Sequence, residues 1–533
     1  MANAGIELPN DIETLKAMLA ERDRIIAEKE KAIREISSKL EWAEEKYRAM
    51  EMRYFGRKSE HYSPEEDKQN RLFDEAEEHG SESSPGAALK VRILAHERTK
   101  RGRKQKSYAT ERVEIVHDLC EAQKRCPCCG ELRPAIGEER TAEYDLIPAH
   151  VVEKVHIIKK YGPCACSSFA QSGEKAILAA AGPAKIIPGS DFTNATTAFF
   201  MTAKYSDAIP FYRMEKMLAR DGLIVSRAAL CNQAVTVGRA VGDLVEVMAR
   251  DIMQSPVILM DETTVQVLKD ERGPPGRKSY MWLSRGYCAA KPIILFRYHP
   301  SRSGDFAASL LEGYRGYLQT DGYSGYNRMG EKPGIVHVGC FAHIRRKFHE
   351  AYETVGKTGI ANEALEIIRR LYAAEAECRS ALDAGQLDGP SFVAKRRGLV
   401  EPIITELRSW LDSASRSVAP QCALGKAVAY ALGQIDRAAR FVEHELLTPD
   451  TNAAENAIRP FVVGRKNWLF SGSPLGAHAS AGIYSLIETA KANGHDSYRY
   501  LAYLFNHLPL CITATEREAL LPYRLLPSTY AEN

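Results

Sequence analysis

The stretch Val257-Ile258-Leu259-Met260-Asp261 joins an apolar run, which is typical of a buried strand, to a carboxylate. A second run, Tyr317-Leu318-Gln319-Thr320, leads in the same way to Asp321. Glu455 follows the polar residues 449–452, which are typical of the capped start of a helix. Carboxylates at two strand tips and on a helix can converge on divalent cations, because magnesium prefers oxygen ligands. Two ions roughly 3.5–4 Å apart would suit the displacement of a phosphodiester oxygen.

The segments between these acids follow a defined order. Strand-like runs at 279–283 and 292–298 flank the turn-rich Arg285-Gly286-Tyr287, and a short helix is expected at 305–311. The Asp321 strand and another at 335–338 follow. Three strands, a helix and two further strands, with acids on the first and fourth strands, resemble the ribonuclease-H-like fold of DDE transposases and retroviral integrases. In that fold the third acid lies on a later helix.

Longer motifs resemble one family, the insertion-sequence 66 type transposases, also called transposase C. They are DTNAAENAIRP (450–460), GRKNWLFSGS (464–473), LQTDGY (318–323), CFAHIRRKF (340–348) and RYFGRKSE (53–60). The resemblance implies a DNA transposase in which Asp261, Asp321 and Glu455 hold two Mg²⁺ or Mn²⁺ ions. Water would cleave the end of the element, and the freed 3′-hydroxyl would then attack target DNA.

The chain departs from the family pattern after the glutamate, where the family usually has arginine and this chain has Asn456. Arg459, one helical turn from Glu455, could still contact a phosphate. Two other functions therefore remain open: a DNA-binding relic without catalysis, and a metal-dependent nuclease that does not join strands.

Each acid also has a structural interpretation or a rival. An aspartate at a strand end often caps a turn, and Asp450 is expected to cap the helix of Glu455. Glu262 could replace Asp261 as a ligand, although alternation along a strand would send the two side chains to opposite faces. Glu488, in a predicted late helix, is the rival of Glu455.

The N-terminal residues 12–50 carry a heptad repeat. One seam position holds Ile12, Leu19, Ile26, Ile33, Leu40 and Tyr47. The other holds Leu15, Ile36, Ala43 and Met50 and is interrupted by Arg22 and Lys29. A stripe of this length predicts a coiled coil, and hence a homodimer or higher oligomer. The alternative is a helix packed on its own domain.

Two cysteine pairs predict a structural zinc site. Cys126 and Cys129 lie in CPCCG (126–130), and Cys164 and Cys166 follow a strand-rich stretch. Four thiolates around one ion would close such a site. The family usually spaces the second pair by two residues. Substitute ligands are Cys120, Cys128, His150 and His156, and a cluster of reduced thiols without metal is the alternative.

Basic residues that could contact DNA are distributed along the chain. Arg101 and Arg103 lie in a basic arm that resembles an AT-hook, with a plain solvated linker as the alternative. Residues 196–248 are expected to be helical, with a break at Asp221-Gly222 before Ser226, so they suit either a helix-turn-helix or an ordinary helical subdomain. Further candidates for DNA contact are Lys204, Arg213, Arg227, Arg345, Arg346, Arg459, Arg465, Lys466 and Trp468.

Composition fits a large intracellular protein. The 533 residues suggest three or four domains, and 45% hydrophobic residues are enough for real cores. A net charge of +3 says little about partners. Neither a secretory signal nor an apolar run of about 20 residues is present, so we expect a cytoplasmic, DNA-associated protein with reduced cysteines and no membrane contact. Small accessory proteins, common in the family, are possible partners.

The expected architecture is multidomain α+β. It comprises a coiled coil (1–55), a linker with a basic arm (56–110), a zinc-binding module (111–185), a helix-turn-helix-like region (186–250), the first part of a ribonuclease-H-like core (251–350), an all-helical insertion (351–447), the rest of the core (448–495) and a C-terminal module (496–533).

Overall fold

Helices surround one mixed sheet in the described part of the chain. The computed structural model describes residues 13, 16, 20–26, 28–29, 151–161, 178–270, 278–355 and 359–530. The strands are β1 (Lys160–Tyr161), β2 (Leu178–Ala179), β3 (Val257–Val267), β4 (Lys278–Cys288), β5 (Lys291–His299), β6 (Gly316–Gln319), β7 (Ile335–Val338) and β8 (Phe470–Ser471). The coarse prediction of a mixed α+β fold is confirmed.

Along the chain, some helices precede the strands of the main sheet, some lie between them in sequence, and the rest follow them. In chain order they are α1 (Asn194–Tyr205), α2 (Phe211–Arg220), α3 (Arg227–Ala240), α4 (Gly242–Ile252), α5 (Gly304–Leu310), α6 (Phe341–Val355), α7 (Ile360–Asp383), α8 (Gly389–Ser417), α9 (Ala423–Ala438), α10 (Asn452–Trp468), α11 (Pro474–Ala492), α12 (Ser497–His507) and α13 (Ala514–Glu518). In the described ranges no helix is both long enough and apolar enough to cross a membrane.

The sheet has the order β5-β4-β3-β6-β7, and β8 pairs with the far end of β3. The β3–β4 and β4–β5 pairs are antiparallel, whereas β6 runs parallel to both β3 and β7. A parallel pair needs a crossover, and α5 lies in the connection from β5 to β6. The strand sequence expected between the acids is therefore present, with the acid-bearing strands β3 and β6 side by side.

The expected turn at Arg285-Gly286-Tyr287 is wrong. These residues lie inside β4, and the hairpin turns at Ala289 and Ala290, whose φ angles are 48° and 66°. Two positive φ angles suit the twist of a tight hairpin but are unusual for alanine, and the glycine or asparagine that normally marks such a turn is missing here. Gly286 serves packing instead, because a Cβ at this position would lie 2.6 Å from Ile252 Cγ1.

The outer edge of β5 is covered by α11. The backbone N–H of Ile294 donates to Thr489 Oγ1 at 2.9 Å, and that of Phe296 donates to Ser485 Oγ at 2.8 Å. Both hydroxyl-bearing residues are fully buried. Side chains of α11 thus satisfy backbone groups of an edge strand that would otherwise remain open.

The helical region before the sheet follows the expected breaks. Helix α2 ends at Arg220 with Asp221 as its C-cap, Gly222 has a φ of 87°, and the Ser226 hydroxyl caps α3 by accepting from Ala229 N at 3.2 Å. Whether α2 and α3 read DNA stays a prediction. The described residues of the predicted coiled coil, between 13 and 29, are helical and exposed, and the rest of that repeat lies outside the described residues.

Helices α7, α8 and α9 lie between β7 and α10, the helix of Glu455, where the helical insertion was expected. Arg396, fully buried on α8, pairs with Glu375 of α7 at 2.8 Å. Its guanidinium also donates to the carbonyls of Phe441, His444 and Leu447 at 2.7, 3.0 and 3.0 Å. One cation thereby fixes the segment that leads from the insertion back to the sheet.

Replacing Arg396 with leucine should destabilise the protein by about 3–5 kcal/mol, because the change leaves a buried carboxylate and several carbonyls without their donor. Thermal unfolding followed by circular dichroism measures the loss. Arg370→Leu is the matched control, because Arg370 pairs with Glu406 on the surface of the same insertion. It should keep the wild-type melting temperature, and equal losses for the two variants would contradict the role assigned to Arg396.

Candidate active site

Asp261 lies in the middle of β3, as the fifth of its 11 residues. The prediction that this acid ends its strand is wrong, because pairing with β4 continues to Gln266 and β8 adds a partner at Val267. The parallel register of β3 and β6 pairs Leu259 with Gln319. Counting two residues on from this pair reaches Asp261 in β3 and Asp321 beyond the end of β6, so both acids lie towards the same end of β6.

Asp321 lies two residues after the end of β6 and begins a tight turn. Its Oδ1 accepts from the backbone N–H of Tyr323 at 3.0 Å. Just before it, the fully buried Gln319 donates from Nε2 to the carbonyl of Thr448 at 2.6 Å. Because Thr448 lies shortly before the Glu455 helix, Gln319 connects the strand of the second acid to the approach of the third.

Glu455 lies in the first turn of α10. The N-cap residue is Thr451 and not Asp450 as predicted, although Asp450 Oδ1 does accept from Asn452 N at 3.1 Å. Arg285 of β4 donates to the carbonyl of Ala453 at 2.9 Å. This bond holds the first turn of α10 against the sheet.

The three acids share one electrostatic environment. The pKa of Asp261 is raised to about 7, first by burial and then by the negative charges of Glu262, Glu455 and Asp321. Within the described ranges no Lys or Arg forms an ion pair with Asp261, Asp321 or Glu455. Buried like charges oppose one another's ionisation, so the cluster would be stabilised by added positive charge.

The carboxylates do not form a closed metal site in this conformation. Among the described residues, no three His, Cys, Asp or Glu side chains are arranged to hold a metal ion. The donors nevertheless fit a hard cation by chemistry, because carboxylate oxygens are preferred ligands and their charge is uncompensated. Asp261, Asp321 and Glu455 are the residues that could hold such an ion.

Glu262 has partners of its own. Its Oε1 accepts from Arg302 Nε at 2.7 Å, and its Oε2 accepts from the Tyr326 hydroxyl. The pKa of Glu262 is raised by burial, while the bonds from Tyr326 and Arg302 act to lower it. An acid with two strong donors is less available as a metal ligand than Asp261.

Glu488, the rival of Glu455, lies on α11 and is buried. It pairs with Lys491 at 3.0 Å. The charges that raise the pKa of Asp261 are those of Glu262, Glu455 and Asp321, and Glu488 does not contribute. The structure therefore brings Glu455, and not Glu488, towards the two aspartates.

His343 and Tyr430 also approach the acids. Burial and then the charge of Arg346 lower the pKa of His343, while the charges of Asp321 and Glu455 act to raise it. Burial and Asp321 raise the pKa of Tyr430 to about 12. His343 lies in the CFAHIRRKF motif, whereas Tyr430 of α9 lies in none of the motifs that the sequence analysis singled out. Nothing in its helical surroundings signals a contact with an acid so distant in sequence.

Two predicted DNA contacts lie in a packed aromatic cluster. The Lys204 ammonium stands over the rings of Phe211, Trp468 and Tyr205 at 4.6, 5.3 and 5.4 Å. Burial lowers the pKa of Lys204 to about 8. The Trp468 ring packs edge-on against Phe461 at 5.4 Å. These placements favour a structural role for Lys204 and Trp468.

Arg465 is also engaged within the fold. Its Nη1 donates to Thr263 Oγ1 at 3.0 Å and to the carbonyl of Thr264, which ties the C-terminal end of α10 to β3. The other described candidates differ in exposure: Arg345 and Arg459 are half-buried, and the exposed ones are Arg213, Arg227, Arg346 and Lys466.

Several predicted residues lie outside the described residues. They are Arg101 and Arg103 of the basic arm, the proposed zinc ligands Cys126, Cys129, Cys164 and Cys166, and the substitutes Cys120, Cys128 and His150. His156 is described and exposed. The zinc site and the basic arm therefore stay predictions.

Comparison with known proteins gives consistent matches. Residues 189–479, which include all three acids, match the family model described as Transposase IS66 family. Residues 485–523 match the model described as IS66 C-terminal element. Two Sinorhizobium fredii proteins are similar over most of the chain. Uncharacterized protein y4qI is 28% identical over 437 residues, covering 80% of this chain and 78% of the relative. Uncharacterized protein y4jD is 27% identical over 418 residues, covering 75% and 78%.

The first family match spans more than half of the 533 residues and contains the strands and the helix that carry the acids. The chain belongs to the transposase IS66 family.

Proposed function

We propose that this protein is a DDE-type DNA transposase. It would hydrolyse the phosphodiester at the ends of an insertion element and join the freed 3′-hydroxyl to target DNA. The observation that carries this proposal is that β3 and β6 lie side by side, with Asp261 on one and Asp321 two residues after the other, while Arg285 holds the first turn of the Glu455 helix against the same sheet. The sheet order β5-β4-β3-β6-β7, with acids on β3 and just after β6, supports a ribonuclease-H-like core.

Asp261, Asp321 and Glu455 would hold the divalent cations, Mg²⁺ or Mn²⁺. When bound, the ions supply positive charge that activates the attacking oxygen and stabilises the leaving one. Oxygen donors with uncompensated charge support this assignment.

The chain's own residues would orient the acids. Gln319 holds the segment before α10, Arg285 holds its first turn and Arg465 holds its last turn. None of these bonds uses a carboxylate of the three acids, so the carboxylates stay free to face DNA. The ordering of ligands by surrounding hydrogen bonds is a general requirement of catalytic metal sites.

The coiled coil and the zinc site are proposed from the sequence alone. The N-terminal coiled coil would make a homodimer that holds two DNA ends, and the cysteine pairs would bind a structural zinc ion. Small accessory proteins would complete the assembly if the purified chain lacks end cleavage by itself, which a reconstitution assay would establish. DNA ends and target DNA are the expected substrates.

The replacements Asp261→Asn, Asp321→Asn and Glu455→Gln should each reduce end cleavage about a thousandfold, because each removes a charge worth several kcal/mol to the transition state. Cleavage is measured on a duplex carrying the terminal repeat that flanks the coding sequence, with Mg²⁺ or Mn²⁺. Joined products on a second duplex distinguish a transposase from a nuclease.

Glu488→Gln is the matched control, because it removes a buried glutamate outside the acid cluster. Its cleavage per folded protein should stay within a few-fold of wild type. Full activity of Glu455→Gln together with loss in Glu488→Gln would show that the third acid is wrongly assigned.

The stability of EDTA-treated protein should depend on pH through Asp261. Its carboxyl keeps a proton up to about pH 7 when folded, whereas an unfolded aspartate titrates near roughly 3.9. The folded state binds the extra proton in this window, so the free energy of unfolding falls as pH rises through it. Asp261→Asn should remove this loss, which is on the order of a few kcal/mol, and thermal melts of both proteins from pH 5 to 8 measure it. If the melting temperatures of both proteins depend on pH in the same way, the pKa of Asp261 is not raised as described.

Asn456 favours the second candidate, a DNA-binding relic. It is exposed in the first turn of α10, next to Glu455, where the family usually has arginine. If the missing cation limits activity, Asn456→Arg should raise end cleavage severalfold, because a guanidinium there can contact a phosphate. Asn456→Gln is the neutral control. End binding without cleavage in wild type and in Asn456→Arg would support the relic.

A further inference from the structure

One arginine beside the acids keeps part of its side chain in solvent. Arg302 donates from Nε to Glu262 Oε1 at 2.7 Å, and its Nη2 lies 2.5 Å from the same oxygen. Glu262 follows Asp261 in β3, and Arg302 is also within electrostatic reach of Asp321. The guanidinium therefore stands at the rim of the acid cluster.

Tyr323 fixes the orientation of this arginine. The guanidinium carbon lies 3.7 Å from the centroid of the Tyr323 ring, and the Tyr323 hydroxyl donates to the Arg302 carbonyl at 2.8 Å. The backbone N–H of Tyr323 in turn donates to Asp321 Oδ1 at 3.0 Å. Arg302 and Asp321 are thus positioned by the same residue.

The two loops that carry this arrangement fit closely. A Cβ at Gly304, two residues after Arg302, would lie 2.5 Å from the carbonyl oxygen of Gly325. Glycine at position 304 permits the approach that places Arg302 over Tyr323. The segment 301–304 is therefore held against the turn that begins at Asp321.

The ion pair with Glu262 uses only some of the N–H donors of Arg302. The Glu262 side chain is 2% exposed and accepts a second bond from Tyr326, whereas the Arg302 side chain is 41% exposed. A guanidinium carries five N–H donors in a planar fork, and its bonds to Glu262 come from Nε and Nη2. The remaining edge has the geometry that binds phosphate.

DNA that approaches the acid cluster is repelled by it, and a cation at this position would offset that repulsion. Asp261, Asp321 and Glu455 repel the phosphate backbone that they would have to approach. DNA-binding proteins offset such repulsion with Lys or Arg contacts to phosphates, each of which releases counterions. A guanidinium fixed in advance by Glu262 and Tyr323 would make this contact with little loss of side-chain freedom.

We propose that Arg302 binds a phosphate of the DNA strand next to the acids, with Glu262 and Tyr323 as its positioning residues. This inference rests on the proposed function and names a substrate contact within the same site. It concerns the DNA backbone and not the bases, so the contact should be independent of sequence.

The test is the salt dependence of end binding by Arg302→Ala. Fluorescence anisotropy with the labelled terminal-repeat duplex, in EDTA and across a range of KCl concentrations, gives the slope of log K against log salt. Loss of one phosphate contact should make this slope shallower by about 0.9 and weaken binding to unrelated duplexes by a similar factor. Arg517→Ala is the matched control, because Arg517 is 43% exposed and pairs with Asp243. It should keep the wild-type slope.

A scan with single methylphosphonates locates the contact. One neutral linkage near the cleavage position should weaken wild-type binding and have no further effect on Arg302→Ala, whereas the control variant should remain sensitive to it. Arg302→Lys keeps the charge opposite Glu262 but loses the planar fork, so it should fold as wild type and still bind more weakly. If Arg302→Ala unfolds, Arg302→Lys is used for the test instead.

The outcomes separate the inference from the proposed function. Wild-type cleavage together with an unchanged slope in folded Arg302→Ala, or with wild-type affinity in Arg302→Lys, overturns the inference and leaves the function standing. Arg302 would then merely neutralise Glu262. Wild-type protein that neither binds nor cleaves the ends overturns both.

Discussion

Repulsion among half-buried carboxylates is the constraint on which this site depends. Asp261, Asp321 and Glu455 come from three elements, and burial, followed by the charges of Glu262, Glu455 and Asp321, raises the pKa of Asp261 to about 7. Like charges would separate if the elements were free to move. Bonds outside the cluster oppose that separation: Gln319 to Thr448, and Arg285 to Ala453. The stability of the surrounding scaffold thus maintains an arrangement that is locally unfavourable, as expected of functional sites.

The strands and helices that carry the acids could be predicted from sequence because their patterns are local. Apolar runs gave β3 and β6, and the polar stretch before Glu455 gave the start of α10. The exact end of β3 could not be predicted, because it is decided by pairing with β4 and β8, which are distant partners. The hairpin turn was missed for a related reason. Ala289 and Ala290 adopt positive φ angles that their own preferences disfavour, so strand pairing overrides the local signal.

The candidate site was harder to predict than the fold, because exposure determines what a basic residue can do. Lys204 and Arg465 have the charge expected of DNA contacts, yet one is enclosed by aromatic rings and the other bonds to β3. Arg302 was not singled out by sequence, although its neighbours place it beside the acids. The charge of a residue is known from the sequence, whereas its contacts and exposure are known only from the folded chain.

The helical insertion belongs to the site and is more than a spacer within the sheet. Tyr430 of α9 lies close enough to Asp321 for that charge to help raise its pKa to about 12. Arg396 of α8 bonds to the segment 441–447, which leads to the Glu455 helix. Since the second and third acids lie on opposite sides of the insertion in sequence, its folding fixes both the return path of the chain and one wall beside Asp321. Arg396 therefore holds the end of the insertion that leads to the third acid, and Tyr430 brings the insertion beside the second.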